Sequence, residues 1–169
     1  MSDTSAMLFA LRSTISGREF FDRMLRGVLP PPPLVSLLGI RLTEVDDGRV
    51  VFAGSVTDPL YNGLGVAHGG YAATMLDSAM SCAIATTLPA GRVFTTVELK
   101  VNFTRPLRAE VGEITCEGKV IHAGARMATA EGRIVDRDGK IYAHGTTTCM
   151  LIASAGAADS GAASGTPRE

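Results

Sequence analysis

Residues 63–77 read GLGVAHGGYAATMLD, and the run continues as SAMSCAIATTL to residue 88. From Gly69 onward it is rich in Ala, Met, Leu and Ile, has no Pro and no Gly after Gly70, and is too long for a strand. It predicts one long helix over residues 69–88, apolar nearly all round, which other elements must cover on most sides. Asp77 is the only residue with a formal charge between His68 and Arg92. A lone carboxylate in so apolar a stretch costs free energy unless something compensates it.

Working outward, the segment GIRLTEVDDGRVVFAGSVT at 39–57 reads as two strands joined at DDG. After the breaker LPAG come four strand-like segments, 93–104, 111–122, 126–136 and 140–152, separated by RPLRAE, HAGA and DRDG. The first alternates, with Val93, Thr95, Val97, Leu99, Val101 and Phe103 expected on one, core-facing side and Phe94, Thr96, Glu98, Lys100 and Asn102 on the other. The short turns suit antiparallel neighbours and rule out parallel crossovers. The expected fold class is therefore α+β, an antiparallel sheet wrapped around one long central helix.

Residues 1–33 form an N-terminal helical segment in this reading, split by a capping box at Ser16 and Glu19 and ended by PPPP at 30–33. The main domain spans 34–152, and the Ala, Gly and Ser tail over 153–169 is expected to be disordered.

Sixteen basic against 17 acidic residues leave no charge excess to favour nucleic acid or an anionic membrane. Cys82, Cys116 and Cys149 show no Cys-x-x-Cys spacing and read as reduced core residues. The N-terminal run lacks a basic region and a long apolar stretch, so export and anchoring are not indicated and a cytoplasmic protein is expected. His122 and His144 have no partner at metal-ligand spacing. The Gly-rich approach to the helix contains neither G-x-G-x-x-G nor G-x-x-x-x-G-K-[ST], which argues against a phosphate cradle.

Gly69 and Gly70 suit a different purpose. They let a ligand approach the free N–H groups of the first helical turn, at the positive end of the helix dipole, where an oxyanion is stabilised. Asp77 lies eight residues after Gly69, about 12 Å along the axis, so one helix cannot bring both to one carbonyl. Two antiparallel copies of the helix across a two-fold axis can, which predicts a homodimer with residues of both chains in each site, and a homotetramer if dimers pair.

The stretch NGLGVAHGGYAATMLDSAMSCA at 62–83, then TTVELKVNFTRP at 95–106 and EGRIVDRDGKIYAHGTTTCMLI at 131–152, resembles the hotdog-fold acyl-CoA thioesterases of the phenylacetic-acid-degradation type. The signature is an Asn, a His-Gly-Gly six residues later, an acid eight residues after the first Gly, and a Thr-x-Glu strand. The resemblance implies that Asp77 attacks the thioester carbonyl or activates the attacking water, and that the Gly69 amide polarises the carbonyl oxygen. It makes Asn62 a residue that helps hold the water or the acid, and Thr96 the hydroxyl beside the acid. His68 and Gly70 then shape the helix start against the substrate. The implied substrate is a short-chain, medium-chain or aryl acyl-CoA, with CoA present only as part of it and no cofactor or metal. A carboxylate and an oxyanion donor suffice for so electrophilic a carbonyl. Tyr61, Tyr71, Met75 and Phe94 are candidates for setting pocket depth. An enoyl-CoA hydratase-like enzyme using His68, or a non-catalytic acyl-CoA sensor, are the alternatives.

Overall fold

The computed structural model describes residues 3–154. Three short helices, α1 (Asp3–Leu11), α2 (Gly17–Leu25) and α3 (Pro33–Leu37), lead into strands β1 (Arg41–Asp46) and β2 (Arg49–Ser55). The long helix α4 (Gly69–Thr86) follows, then β3 (Arg92–Phe103), β4 (Glu113–Ala123), β5 (Met127–Asp136) and β6 (Ile141–Ala153). The β1–β2 turn places Gly48 at φ 71°, a conformation that glycine adopts without strain. All six strands form one antiparallel sheet in the order β1-β2-β4-β5-β6-β3.

The helix is seated on this sheet by missing side chains. Gly118, Gly132 and Gly145 stand opposite one another on β4, β5 and β6. A Cβ on Gly118 would lie 2.3 Å from the Ala79 backbone, and one on Gly132 would lie 2.8 Å from Met80 Cγ. Met75, Leu76, Ala79, Met80, Ala83 and Ile84 of α4 are consequently in full contact with Ile114, Cys116, Ala130, Ile134 and Cys149 of the sheet. The opposite stripe, Gly70, Ala73, Thr74, Asp77 and Ser78, is only partly covered, with β3 reaching Asp77 through Thr96.

Two expectations are corrected. The alternation of β3 is interrupted: pairing with β6 runs Thr96 to Cys149 and then Glu98 to Thr148, so Val97 is an extra, bulged residue. The bulge reverses the parity of the strand. Phe94 and Thr96 before it share the helix side with Leu99, Val101 and Phe103 after it, because their partners Leu151, Cys149, Thr147, Gly145 and Ala143 all line the buried side of β6. Val93 and Thr95 therefore do not share a face with Phe103, and Val97 is 50 % exposed. PPPP ends α2's connection as expected, but Pro33 also starts α3, since the first helical turn tolerates a missing N–H.

The N-terminal helices pack on the sheet and on α4. Phe20, Phe21, Met24 and Leu29 form a second cluster with Val45 of β1 and Ala85 of α4. Ser16 caps α2 by accepting from Glu19 N at 3.2 Å. Gly17 N donates to Leu88 O at 2.9 Å, with the backbone so close that a Cβ there would sit 1.6 Å from Ala85 O. The buried Arg12 guanidinium donates to Ile15 O and Arg92 O at 3.2 and 3.1 Å. At the other end, β6 runs through Ala153 and Ser154 N donates to Gly91 O. The rest of the tail, 155–169, lies outside the described residues. No helix among the described residues is long and apolar enough to cross a membrane.

Candidate active site

His68 is the N-cap of α4, and its Nδ1 accepts from Gly70 N at 2.9 Å. Tyr71 N donates to the His68 carbonyl, also at 2.9 Å. Of the three N–H groups that open the helix, those of Gly70 and Tyr71 are satisfied, while that of Gly69 has no acceptor among the described residues. The one unpaired donor is thus the one at the tip of the helix dipole.

This N–H borders a cavity of about 390 Å³. It is lined by the apolar Val66, Ala67, Ala72, Leu107 and Ala143 and equally by Asn62, His68, Phe103, Thr104, Arg105 and Tyr142. The approach loop is held by Asn62, whose Oδ1 accepts from Leu64 N at 2.8 Å and from Val66 N at 3.4 Å. Its carbonyl thus builds the turn that aims the helix start, while its amide NH2 remains available at the cavity. Arg105 is tied to the strand beneath it by Nη1 donating to Ile141 O at 2.5 Å.

Two turns further on, Asp77 lies on the half-buried stripe of α4. Thr96 Oγ1 donates to Asp77 Oδ1 at 3.0 Å, and the Cys149 thiol lies 3.8 Å from the same hydroxyl. The thiols nearby are kept protonated: burial, and then the Asp77 charge, push Cys82 up to about 12 and raise Cys149 in the same direction. Neither is a nucleophile at neutral pH.

One chain therefore carries two half-sites. Gly69, Gly70, His68 and Asn62 gather at the helix start, and Asp77 with Thr96 lies two turns away. Tyr61, Tyr71, Met75 and Phe94 do not line the cavity. Tyr71 and Met75 point into the core, Tyr61 OH accepts from Ala109 N, and Phe94 lies against the N-terminal cluster. Conversely, Phe103, Leu107 and Tyr142 line it and were not foreseen, because the bulge and two long-range contacts put them there. His122 and His144 are exposed strand residues.

Comparison with known proteins agrees with this arrangement. Residues 64–143 match the family model described as Thioesterase superfamily. A Halobacterium salinarum protein provisionally named an esterase is 32 % identical over 108 residues, covering 60 % of this chain and 69 % of that protein. The 1,4-dihydroxy-2-naphthoyl-CoA hydrolase of Listeria monocytogenes is 25 % identical, covering 64 % and 86 %. Among solved structures, a phenylacetic acid degradation-related protein of Ralstonia eutropha superposes with a TM-score of 0.70 at 32 % identity, covering 77 % of this chain and 98 % of that one. The PaaI protein of Escherichia coli, at 23 % identity, shares the fold with a TM-score of 0.71 over 82 % and 98 % of the two chains. The sheet wrapped on α4 is the hotdog fold, and the proteins that share it here define a class of thioester hydrolases. The chain belongs to the thioesterase superfamily.

Proposed function

We propose that the protein hydrolyses acyl-CoA thioesters to the free acid and CoA in a site shared by two copies of the chain. The observation that carries this is the division of labour on α4: an unpaired N–H at Gly69 over an apolar cavity, and a single carboxylate held by Thr96 two turns on. The thioester oxygen accepts from Gly69 N–H of one copy. Asp77 of the other copy attacks the carbonyl carbon or takes a proton from the water that does. Charge develops on the oxygen facing the helix N-terminus, where it is stabilised without reorganisation. On the water route, collapse breaks the C–S bond and the proton taken by Asp77 passes to the CoA sulfur; on the direct route, collapse gives CoA thiolate and an Asp77 acyl anhydride, which water then hydrolyses to the free acid and the restored carboxylate.

Two features of the fold support the pairing. β3 is a twelve-residue edge strand bonded only to β6, an arrangement that invites another strand. The stripe of α4 that holds Asp77 is only half-buried within the chain. A dimer across this side answers both. The hydratase alternative needs His68 as a base, yet its Nδ1 lone pair is engaged by Gly70 N–H.

The test is thiol release, followed with a thiol-reactive dye, from short, medium and aromatic acyl-CoAs by wild type and Asp77→Asn. Release that disappears in the variant supports the assignment. Equal release by both sinks the role of Asp77, and binding without release favours the sensor reading.

A further inference from the structure

Phe103 lines the cavity together with Tyr142, and it is 58 % exposed although it is on the helix side of β3. Its Cζ lies 3.1 Å, and its two Cε atoms 3.5 Å, from where a Cβ on Gly69 would stand. The ring thus occupies the space beside the oxyanion donor that any residue but glycine would fill. It reaches that place only because the Val97 bulge turns the second half of β3 inward. A half-exposed ring beside a free N–H is a surface awaiting cover.

A thioester carbonyl at Gly69 carries two substituents, the acyl group and the sulfur with its pantetheine arm. The arm contains two amides, which need hydrogen-bond partners when buried. The cavity is lined both by apolar side chains, Val66, Ala67, Ala72, Leu107 and Ala143 with the Phe103 ring, and by the polar Asn62, His68, Thr104, Arg105 and Tyr142. Hydrocarbon suits the apolar part that Phe103 bounds, and the amides of the arm suit the polar part.

We propose that Phe103 determines acyl specificity: its ring is the wall that limits the length of the acyl group seated in the Gly69 cavity. This rests on the thioesterase reading of the site. Phe103→Ala should open the cavity and Phe103→Trp should narrow it. Both variants should fold, since the ring lies mostly in solvent.

The experiment is kcat/KM for straight-chain acyl-CoAs from acetyl to dodecanoyl, together with inhibition by free CoA, for wild type and both variants. A few methylenes in an apolar pocket discriminate by roughly tenfold or more. The ratio of dodecanoyl to butanoyl turnover should therefore rise about tenfold in Phe103→Ala and fall in Phe103→Trp, with CoA inhibition unchanged. An unchanged chain-length profile overturns the proposal. So does a uniform change across all chain lengths with a matching change in CoA inhibition, which would assign the ring to the pantetheine arm. Calorimetric binding of the same panel to Asp77→Asn, with and without Phe103→Ala, reads the ring without turnover. A shifted binding ratio with no hydrolysis by wild type would refute the thioesterase reading and keep the wall.

Discussion

Replacing Gly118 by alanine should lift α4 from the sheet. Alanine is the better residue in an ordinary strand, worth roughly 0.5–1 kcal/mol over glycine through chain entropy, so the substitution would normally stabilise. Here the added Cβ would lie 2.3 Å from the Ala79 carbonyl carbon and oxygen and 2.6 Å from Met80 N, and ordinary contact begins at 3.4 Å. These are backbone atoms of a helix locked on both sides, so no rotamer change relieves the clash. Helix and strand must part by about 1 Å, which sets the cost at roughly 1–3 kcal/mol, as for other overpacked cores. At about 2–4 °C per kcal/mol for a domain of this size, Tm should fall by ~2–12 °C. Ala79 is two residues from Asp77, and a misplacement of about 1 Å at a reacting group costs roughly 100-fold in rate. Calorimetric melts and thiol release on the same preparation measure both, with Lys119→Ala, an exposed neighbour on β4, as control. A Tm at or above that of wild type would refute the claim that the glycine line seats the helix.

Other consequences can be checked separately. Thr96→Val removes the hydroxyl on Asp77 while keeping the side-chain shape; a bond to a charged group is worth about 1.5–3 kcal/mol, so kcat/KM should drop at least about tenfold. Thr96→Ser should restore most of that activity, and full activity in the valine variant would remove Thr96 from the site. Asp136 is held below the usual carboxylate range chiefly by Lys140 N–H, with Tyr142 OH and Asp138 N–H adding to it. A depressed folded pKa contributes stability that is present above the unfolded value of about 3.9 and is lost as pH falls through the folded one. Asp136→Ala should therefore melt below wild type at neutral pH, with the gap closing below about pH 4; a gap independent of pH contradicts this. With Cys82 pushed up to about 12 and Cys116 and Cys149 also raised by burial, native protein at pH 8 should label slowly with iodoacetamide and quickly once unfolded. Fast labelling of folded protein would show that these sites open.

What could be read from the sequence was local. The α4 run, the Asp47-Gly48 turn and the four later strands carry their period and turn chemistry in adjacent residues, and each was found within a few positions of its expected bounds. Asp77 stood out because a single charge in an apolar helix is visible in one dimension, and Gly69 because a glycine pair opened that helix. The Val97 bulge left no such mark, since valine is an ordinary strand residue and the extra position is defined only by its partners on β6. Missing it put Phe103 on the opposite face from Phe94 and Thr96, with which it shares the helix side. Leu107 and Tyr142 escaped for the same reason, being brought to α4 by strand pairing between distant segments.

Gly69→Pro is compatible with the helix start, and its Cβ, 3.1 Å from Phe103 Cζ, meets only the tip of an exposed ring that can turn aside. Gly69 is the first helical position, where proline is tolerated, and His68 already has φ −60° and ψ 136°, the extended conformation preferred before proline. The most direct test of a site shared between chains is thiol release by purified mixed dimers of Asp77→Asn with Gly69→Pro chains, each inactive as its own homodimer. Such dimers rebuild one intact site out of two, so about half of wild-type activity should return. No activity in verified mixed dimers would contradict the shared site and place Gly69 and Asp77 in separate functions.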